Sequence, residues 1–518
     1  MNSAISSEIL KPAIVVTVDL SDPDLASINS LGFYEASVVQ DVFDYVELAF
    51  NTKTGREGRS LVGGKEVVGY ALENPQKIYS TALLRVTGPC YGGDWIRRDM
   101  AEVVSGYIKQ PLRVRFYLIS EDDSCQNNNN PSNGKEYSFE KSELFSIVRL
   151  YQILHRENLF NSSFEKGTKV SANPAQLRII GGSSKMSFIQ AFMEAAKYNL
   201  GDKESQNLNP SYKPSDYYTE EPGTVVAKRY KISKERMGSK VKADSLSYKV
   251  YLPYGYDPKG STKYPVLYLL HGSGGDQGSW NAFWPILDTL IEEKTIPKLI
   301  AVAPVTGNSY WVDSYKYGAV ESSLIQNLVP RIDNNYNTIN NRDGRGLIGF
   351  SMGGYGALRF SLLYPDLFGA ASLLSPAVQY DEAPETSGAV QRGSFGEPYD
   401  PREWEAKNYP VALESYRKQS YRVPIFIIIG DDDWNHVNEK EDLPDGAYRY
   451  NMEFQATALY LLLTRSMLNN RASSSDDRSP SEFRVVNGGH DINVWATGFE
   501  RGIIYMFSNA MSAPYVSR

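Results

Sequence analysis

Residues 346–358 read Gly346-Leu347-Ile348-Gly349-Phe350-Ser351-Met352-Gly353-Gly354-Tyr355-Gly356-Ala357-Leu358, and Gly349 to Gly353 spell the pattern Gly-x-Ser-x-Gly. Ahead of the serine, Gly346 to Phe350 is short and apolar enough for a buried strand. Behind it, Leu358, Leu362 and Leu363 recur at helical spacing between Tyr355 and Tyr364. The stretch therefore predicts a strand that turns sharply into a helix, with Ser351 at the corner. Such a corner leaves no room for a Cβ two residues away on either side, and Gly349 and Gly353 fill both places.

Working outward, short strand-like runs alternate with helical ones: Pro265 to Leu270, Leu299 to Pro304, Gly346 to Phe350, Ala371 to Leu374 and Pro424 to Ile429. That alternation predicts an α/β fold with a mainly parallel central sheet covered on both faces. Ligands of such sheets bind beyond the carboxyl ends of the strands, where the motifs of this chain fall.

A serine hydroxyl is a poor nucleophile at neutral pH and needs a base to take its proton and return it to the leaving group. The chain has 4 histidines: His155, His271, His436 and His490. His490, in Gly488-Gly489-His490-Asp491-Ile492-Asn493-Val494-Trp495, follows the apolar run Phe483 to Val486 and satisfies the chain order Ser, acid, His. The acid belongs between them at a strand end. Ile425 to Ile429 leads into Gly430-Asp431-Asp432-Asp433, where three carboxylates compete and Asp433 is preferred. Asp491 is disfavoured because adjacent residues rarely aim their side chains at each other. His271-Gly272-Ser273-Gly274-Gly275 ends another strand with small residues, so the N–H groups of Ser273 and Met352 are the expected oxyanion donors. His271 is read as an anchor for that loop. A phosphate-binding loop is disfavoured, since the Lys-Ser/Thr ending is absent.

The composition bounds the class. At 518 residues, 42% apolar and 22% charged, the chain suits two or more globular domains. A net charge of −7 argues against nucleic acid or an anionic membrane as the main partner. No run of eighteen apolar residues suggests a membrane span. Met1 to Lys11 carries no secretory pattern, so the expectation is a secreted protein if a leader has been removed and a cytoplasmic one otherwise. The 2 cysteines, Cys90 and Cys125, do not decide between a disulfide and a thiol pair.

Between Gly201 and Gly223 apolar periodicity vanishes and three prolines appear, which reads as a linker between a domain at 1–200 and another at 224–518. In the first, Ala13 to Leu20 is strand-like and Leu112, Val114, Phe116 and Leu118 alternate like a half-buried strand. Ile96, Met100, Val103, Val104 and Tyr107 share a helical face, as do Leu144, Ile147, Val148, Tyr151 and Leu154, and Met186 to Leu200 is a further helix. The mixture suggests a separate α+β domain of no recognised family.

Tyr251-Leu252-Pro253-Tyr254-Gly255-Tyr256, Tyr268-Leu269-Leu270-His271-Gly272, Gly349 to Gly354 and Gly488 to Trp495 together resemble the esterase D-like family of α/β-hydrolases, above all its feruloyl and acetylxylan esterases. The resemblance spans about Pro222 to Phe507. It implies Ser351, Asp433 and His490 as catalytic triad, Ser273 and Met352 as oxyanion donors, and an acyl-enzyme formed without cofactor or metal. The implied substrate is an acylated polysaccharide or oligosaccharide such as feruloyl or acetyl xylan. Acyl transfer of the mycolyltransferase type and siderophore ester hydrolysis are alternatives with the same chemistry. A carbohydrate-binding protein on a non-catalytic hydrolase fold is the alternative of another class. Departures from the family are the acidic insertion Asn435 to Asp445 and the longer loop Asn469 to Pro480. Trp280, Trp311, Trp434 and Trp495 lie near the proposed catalytic loops and are candidate platforms for sugar or phenolic rings, with packing beneath the loops as the other reading. Gly393 to Pro398 is a candidate wall of the acyl pocket.

Overall fold

In a computed structural model the chain forms two compact units, Met1–Asn209 and Pro210–Arg518. The structure describes residues 42–52, 54–85, 114–121, 176–180, 212–231, 245–380, 382–430, 433, 452–468, 481–486, 488–509, 511 and 515–516, with positions 103, 106, 107 and 147. The expected strand Ala13 to Leu20, the helix Met186 to Leu200, both cysteines, His155, His436, Trp434 and the two family departures lie outside these residues.

In the first unit, strand β1 (Ser60–Gly63), helix α1 (Lys65–Glu73) and strands β2 (Ser80–Arg85), β3 (Arg115–Glu121) and β4 (Gln176–Ile180) follow in order. The four strands lie side by side in sequence order, all parallel. Val114, Phe116 and Leu118 are fully buried, as their alternation predicts. Tyr107 and Ile147, placed on helical faces by their spacing, are helical and buried.

The second unit is built on strands β5 (Thr224–Lys231), β6 (Ser245–Leu252), β7 (Val266–Leu270), β8 (Ile300–Val305), β9 (Arg345–Phe350), β10 (Ala370–Leu374), β11 (Ile425–Gly430) and β12 (Glu482–Val486). They pair in the order β5-β6-β8-β7-β9-β10-β11-β12. β6 is antiparallel to both its neighbours, and every pair from β8 to β12 is parallel. β7, β9, β10 and β11 are buried at every position, the state of a parallel sheet covered on both faces. This is the α/β-hydrolase architecture, and the five strands expected from the sequence fall within a residue of those observed.

Helices α2 (Trp284–Glu292), α3 (Met352–Leu363), α4 (Pro401–Lys407), α5 (Tyr409–Tyr416), α6 (Met452–Leu468) and α7 (Ile492–Asn509) belong to this unit. One layer of the core joins Leu267, Ile348 and Leu374 of the sheet to Trp280, Phe283 and Leu287 around α2, and to Val494 and Phe499 of α7. Each large apolar side chain withdrawn from water here contributes roughly 1.5–3 kcal/mol.

The segment before β5 is docked rather than free, although its composition reads as a linker. The Tyr212 N–H donates to Asn493 Oδ1 at 3.0 Å and its hydroxyl to the Ala282 carbonyl at 2.6 Å. Tyr217 stacks on Tyr212 and donates to Glu500, and the Gly223 N–H donates to Asp288. The aromatic rings anchor the segment where apolar periodicity gives no signal. Among the described residues no helix is long and apolar enough to cross a membrane.

Candidate active site

The strand-to-helix corner is present as the sequence predicts. Ser351 joins β9 to α3 with φ 56° and ψ −121°, a strained backbone for a residue with a Cβ. Two hydrogen bonds hold it there: its N–H donates to the Leu374 carbonyl at 2.9 Å, and its own carbonyl accepts the Ala377 N–H at 2.9 Å. Both come from the end of β10 and the loop beyond it, so the neighbouring strand over-determines the corner. A Cβ on Gly349 would lie 2.0 Å from the Gly353 carbonyl oxygen, and one on Gly353 would lie 1.8 Å from the Leu270 oxygen. Only glycine fits at either place.

Asp433 follows β11 and His490 follows β12, and these strands are parallel neighbours with Gly430 opposite Val486. The loops leave the sheet side by side. A Cβ on Gly430 would meet the Gly488 carbonyl oxygen at 2.0 Å, so the close approach of the two loops requires glycine there. Asp433 Oδ1 lies 2.7 Å from His490 Nδ1, and the acid's side chain is only 1% exposed. Asp491 turns the other way and accepts the N–H groups of Asn493 and Val494 at the start of α7, a helix cap.

Trp495 connects this pair to the corner. Its ring stacks on Phe350 with centroids 4.7 Å apart and meets the His490 ring edge-on at 5.2 Å. Phe350 is the residue before Ser351, so the histidine loop and the serine corner share one aromatic contact.

Met352 opens α3, so its N–H has no acceptor within the helix. Ser273 lies in a turn closed by the Gly275 N–H and the Gly272 carbonyl, with Gly274 at φ 76°. Asn308 holds the turn from outside by accepting both the Ser273 hydroxyl and the Gly274 N–H. His271 is fully buried. Its Nε2 accepts the Thr306 N–H at 3.1 Å, which leaves the proton on Nδ1 to donate to the Gly272 carbonyl at 2.8 Å. Burial pushes its pKa below the ordinary histidine value, against the opposing Gly272 hydrogen bond. It is a neutral anchor for the loop, as the sequence suggests.

Ser351 and Ser273 line one cavity of about 100 Å³, walled also by Tyr310, Gln379, Arg392 and Trp404. The last four, and Asn308, carry no motif and were not legible in the sequence. They come from loops whose only common property is their position above the sheet. The excursion after β10 does reach the cavity, through residues 386–389, 391 and 392. Phe395, within the expected wall Gly393 to Pro398, is instead packed behind it on Tyr310, Tyr355 and Trp404.

Two of the tryptophans expected as ring platforms are core residues. Trp280 is 1% exposed and packs on Phe283, Phe350 and Phe499. Trp311 is fully buried beneath the His271 loop, with its indole N–H on the His271 carbonyl. Neither can stack on a substrate, because the surrounding rings occupy their faces. Trp495 retains partial exposure, with Phe350 and His490 against it.

The family model described as "Putative esterase" matches residues 239–506, more than half of the chain. The chain belongs to that esterase family. Among its relatives, an endo-1,4-β-xylanase/feruloyl esterase of Xylanibacter ruminicola is 35% identical over 157 residues, which are 27% of this chain and 21% of that protein. An esterase of Mycobacterium tuberculosis is 39% identical over 130 residues, 24% of this chain and 27% of its own length. The chain thus spans about a quarter or less of the length of these curated relatives. Among solved structures, a ferulic acid esterase of Anaeromyces mucronatus aligns with a TM-score of 0.40 and 20% identity, over 56% of this chain and 95% of that one.

Proposed function

We propose that the second unit is a serine carboxylesterase that hydrolyses acyl esters, feruloyl or acetyl, on a plant cell-wall polysaccharide such as xylan. The observation that carries the reading is the Asp433–His490 hydrogen bond, held against the strained Ser351 corner through Trp495. In this reading the Ser351 hydroxyl attacks the ester carbonyl while His490 Nε2 takes its proton. Asp433, bonded to Nδ1, keeps the imidazole in the tautomer that carries its lone pair on Nε2, and stabilises the imidazolium that forms. The N–H groups of Met352 and Ser273 receive the charge that develops on the carbonyl oxygen, where one such donor is worth about 2.7–4 kcal/mol of barrier. His490 then protonates the leaving alcohol, and water repeats the sequence on the acyl-enzyme.

The polysaccharide part of the reading is supported by the printed name of the Xylanibacter relative, a xylanase joined to a feruloyl esterase. The test compares release of acetate and ferulate from acetyl xylan, feruloyl arabinoxylan and simple aryl esters by the wild type and Ser351→Ala. The expected result is turnover of at least one polysaccharide ester, lost in the variant while its thermal unfolding is unchanged. Unaltered turnover in Ser351→Ala would remove the nucleophile assignment; turnover of aryl esters alone would remove the polysaccharide.

A further inference from the structure

The cavity beside Ser351 is polar in a way that a plain apolar acyl chain does not satisfy. Gln379, only 5% exposed, lines it, and the side-chain oxygen Oε1 has no hydrogen-bond partner among the described residues. A buried amide oxygen without a partner costs about 1–3 kcal/mol, and an incoming hydrogen-bond donor recovers that cost. Arg392 lines the same cavity and is exposed.

The guanidinium of Arg392 stands apart from nine other described arginines of the unit. Arg345, Arg359, Arg402, Arg417 and Arg484 are each paired with a carboxylate. Arg342 and Arg422 donate to carbonyls, Arg229 to a hydroxyl, and Arg331 lies over a tyrosine ring. Arg392 makes none of these contacts among the described residues. Its charge is nonetheless felt at the fully buried Tyr310 hydroxyl, whose pKa burial raises while the Ala389 N–H and Arg392 oppose the rise. The Tyr310 hydroxyl stands within 3.1 Å of the place a Cβ would take on Gly388, and Ser273 Oγ within 3.5 Å of it. The positive charge therefore acts on the wall of the cavity that holds Ser351, and no described lining residue is a carboxylate.

We infer that the ester taken by this site carries a carboxylate, bound by Arg392 as a charge-assisted pair, while Gln379 Oε1 accepts from a donor elsewhere on the same ester, such as a sugar hydroxyl. The inference rests on the reading of Ser351 as nucleophile. It adds a substrate class, an acidic ester, whose carboxylate belongs either to the acyl group, as in a dicarboxylic hemiester, or to the alcohol, as in an acylated uronic acid. A planar guanidinium suits a carboxylate because it offers two parallel N–H donors.

Two matched pairs separate the sources: monoethyl succinate against ethyl butyrate, and an O-acetylated methyl uronoside against its neutral hexoside. For each pair the ratio of kcat/KM, acidic over neutral, is measured in wild type, Arg392→Gln and Arg392→Lys. Arg417→Gln, a surface arginine paired with Glu414, serves as control. The expected result is a ratio about tenfold lower in Arg392→Gln for at least one pair, partly restored in Arg392→Lys and unchanged in the control. Ratios within twofold of wild type for both pairs in Arg392→Gln would overturn the inference while leaving the nucleophile assignment untouched. If the wild type turns over none of these esters, calorimetric binding of monoethyl succinate and of the acetylated uronoside to wild type decides. Binding of either that is lost in Arg392→Gln supports the inference, and binding of neither overturns it.

Discussion

Asp433 and His490, 57 residues apart in sequence, meet through a 2.7 Å hydrogen bond between Oδ1 and Nδ1 at the ends of two parallel neighbouring strands. The bond orients the ring: a carboxylate only accepts, so Nδ1 carries a proton. It also separates Asp433 from Asp491, which is spent on capping α7; Asp431 and Asp432 lie outside the described residues.

Asp433→Asn is expected to lower kcat toward a simple ester by about 10⁴-fold with little change in KM, because an amide at this place supports the wrong imidazole tautomer. Steady-state kinetics on the purified variant check it. A loss below tenfold would mean that the observed pair does not serve catalysis.

His271 should make stability depend on pH. Burial holds its folded pKa below 6.5, so an unfolded chain takes up a proton near that pH while the folded imidazole stays neutral. The unfolded state then binds more protons, and stability falls as pH drops through the window beneath 6.5. His271→Gln keeps a donor and an acceptor but does not titrate. Urea unfolding at pH 7.5 and 5.5 should show the wild type losing about 1 kcal/mol more than the variant over this interval. Equal losses would contradict the neutral, buried assignment.

Tyr212→Ala is expected to destabilise the second unit by about 2 kcal/mol, through the lost hydroxyl bond to Ala282 and the lost stacking on Tyr217. Thermal or denaturant unfolding reads the effect. A change below about 0.5 kcal/mol, the size usual for an unconstrained surface side chain, would return this segment to the status of a linker.

Much of the site was legible from the chain because its parts are local. A glycine two residues on either side of Ser351 records a steric demand that nearby backbone makes, and that demand survives in the sequence as a fixed spacing. The strands are legible for a similar reason. In a sheet covered on both faces every side chain of a strand is buried, so Ile425 to Ile429 reads as an unbroken apolar run. The cavity walls left no such trace: Gln379, Arg392 and Asn308 are ordinary polar residues in loops until distant elements bring them beside Ser273 and Ser351. The two readings of the tryptophans stayed open for the same reason, since nearness in sequence to a loop does not say whether a ring lies above it or, like Trp280 and Trp311, beneath it.

By itself, then, the sequence determined the hydrolase architecture of the second unit and the serine corner, both of them consequences of short-range sterics and of burial repeated along single strands. Only the tertiary structure decided that Asp433 faces His490, that the tyrosines at 212 and 217 fasten the approach to β5, and that Arg392, unpaired among the described residues, lines one cavity with Ser351. Each of these depends on which residues far apart in the chain exclude water from one another, and no local pattern records that.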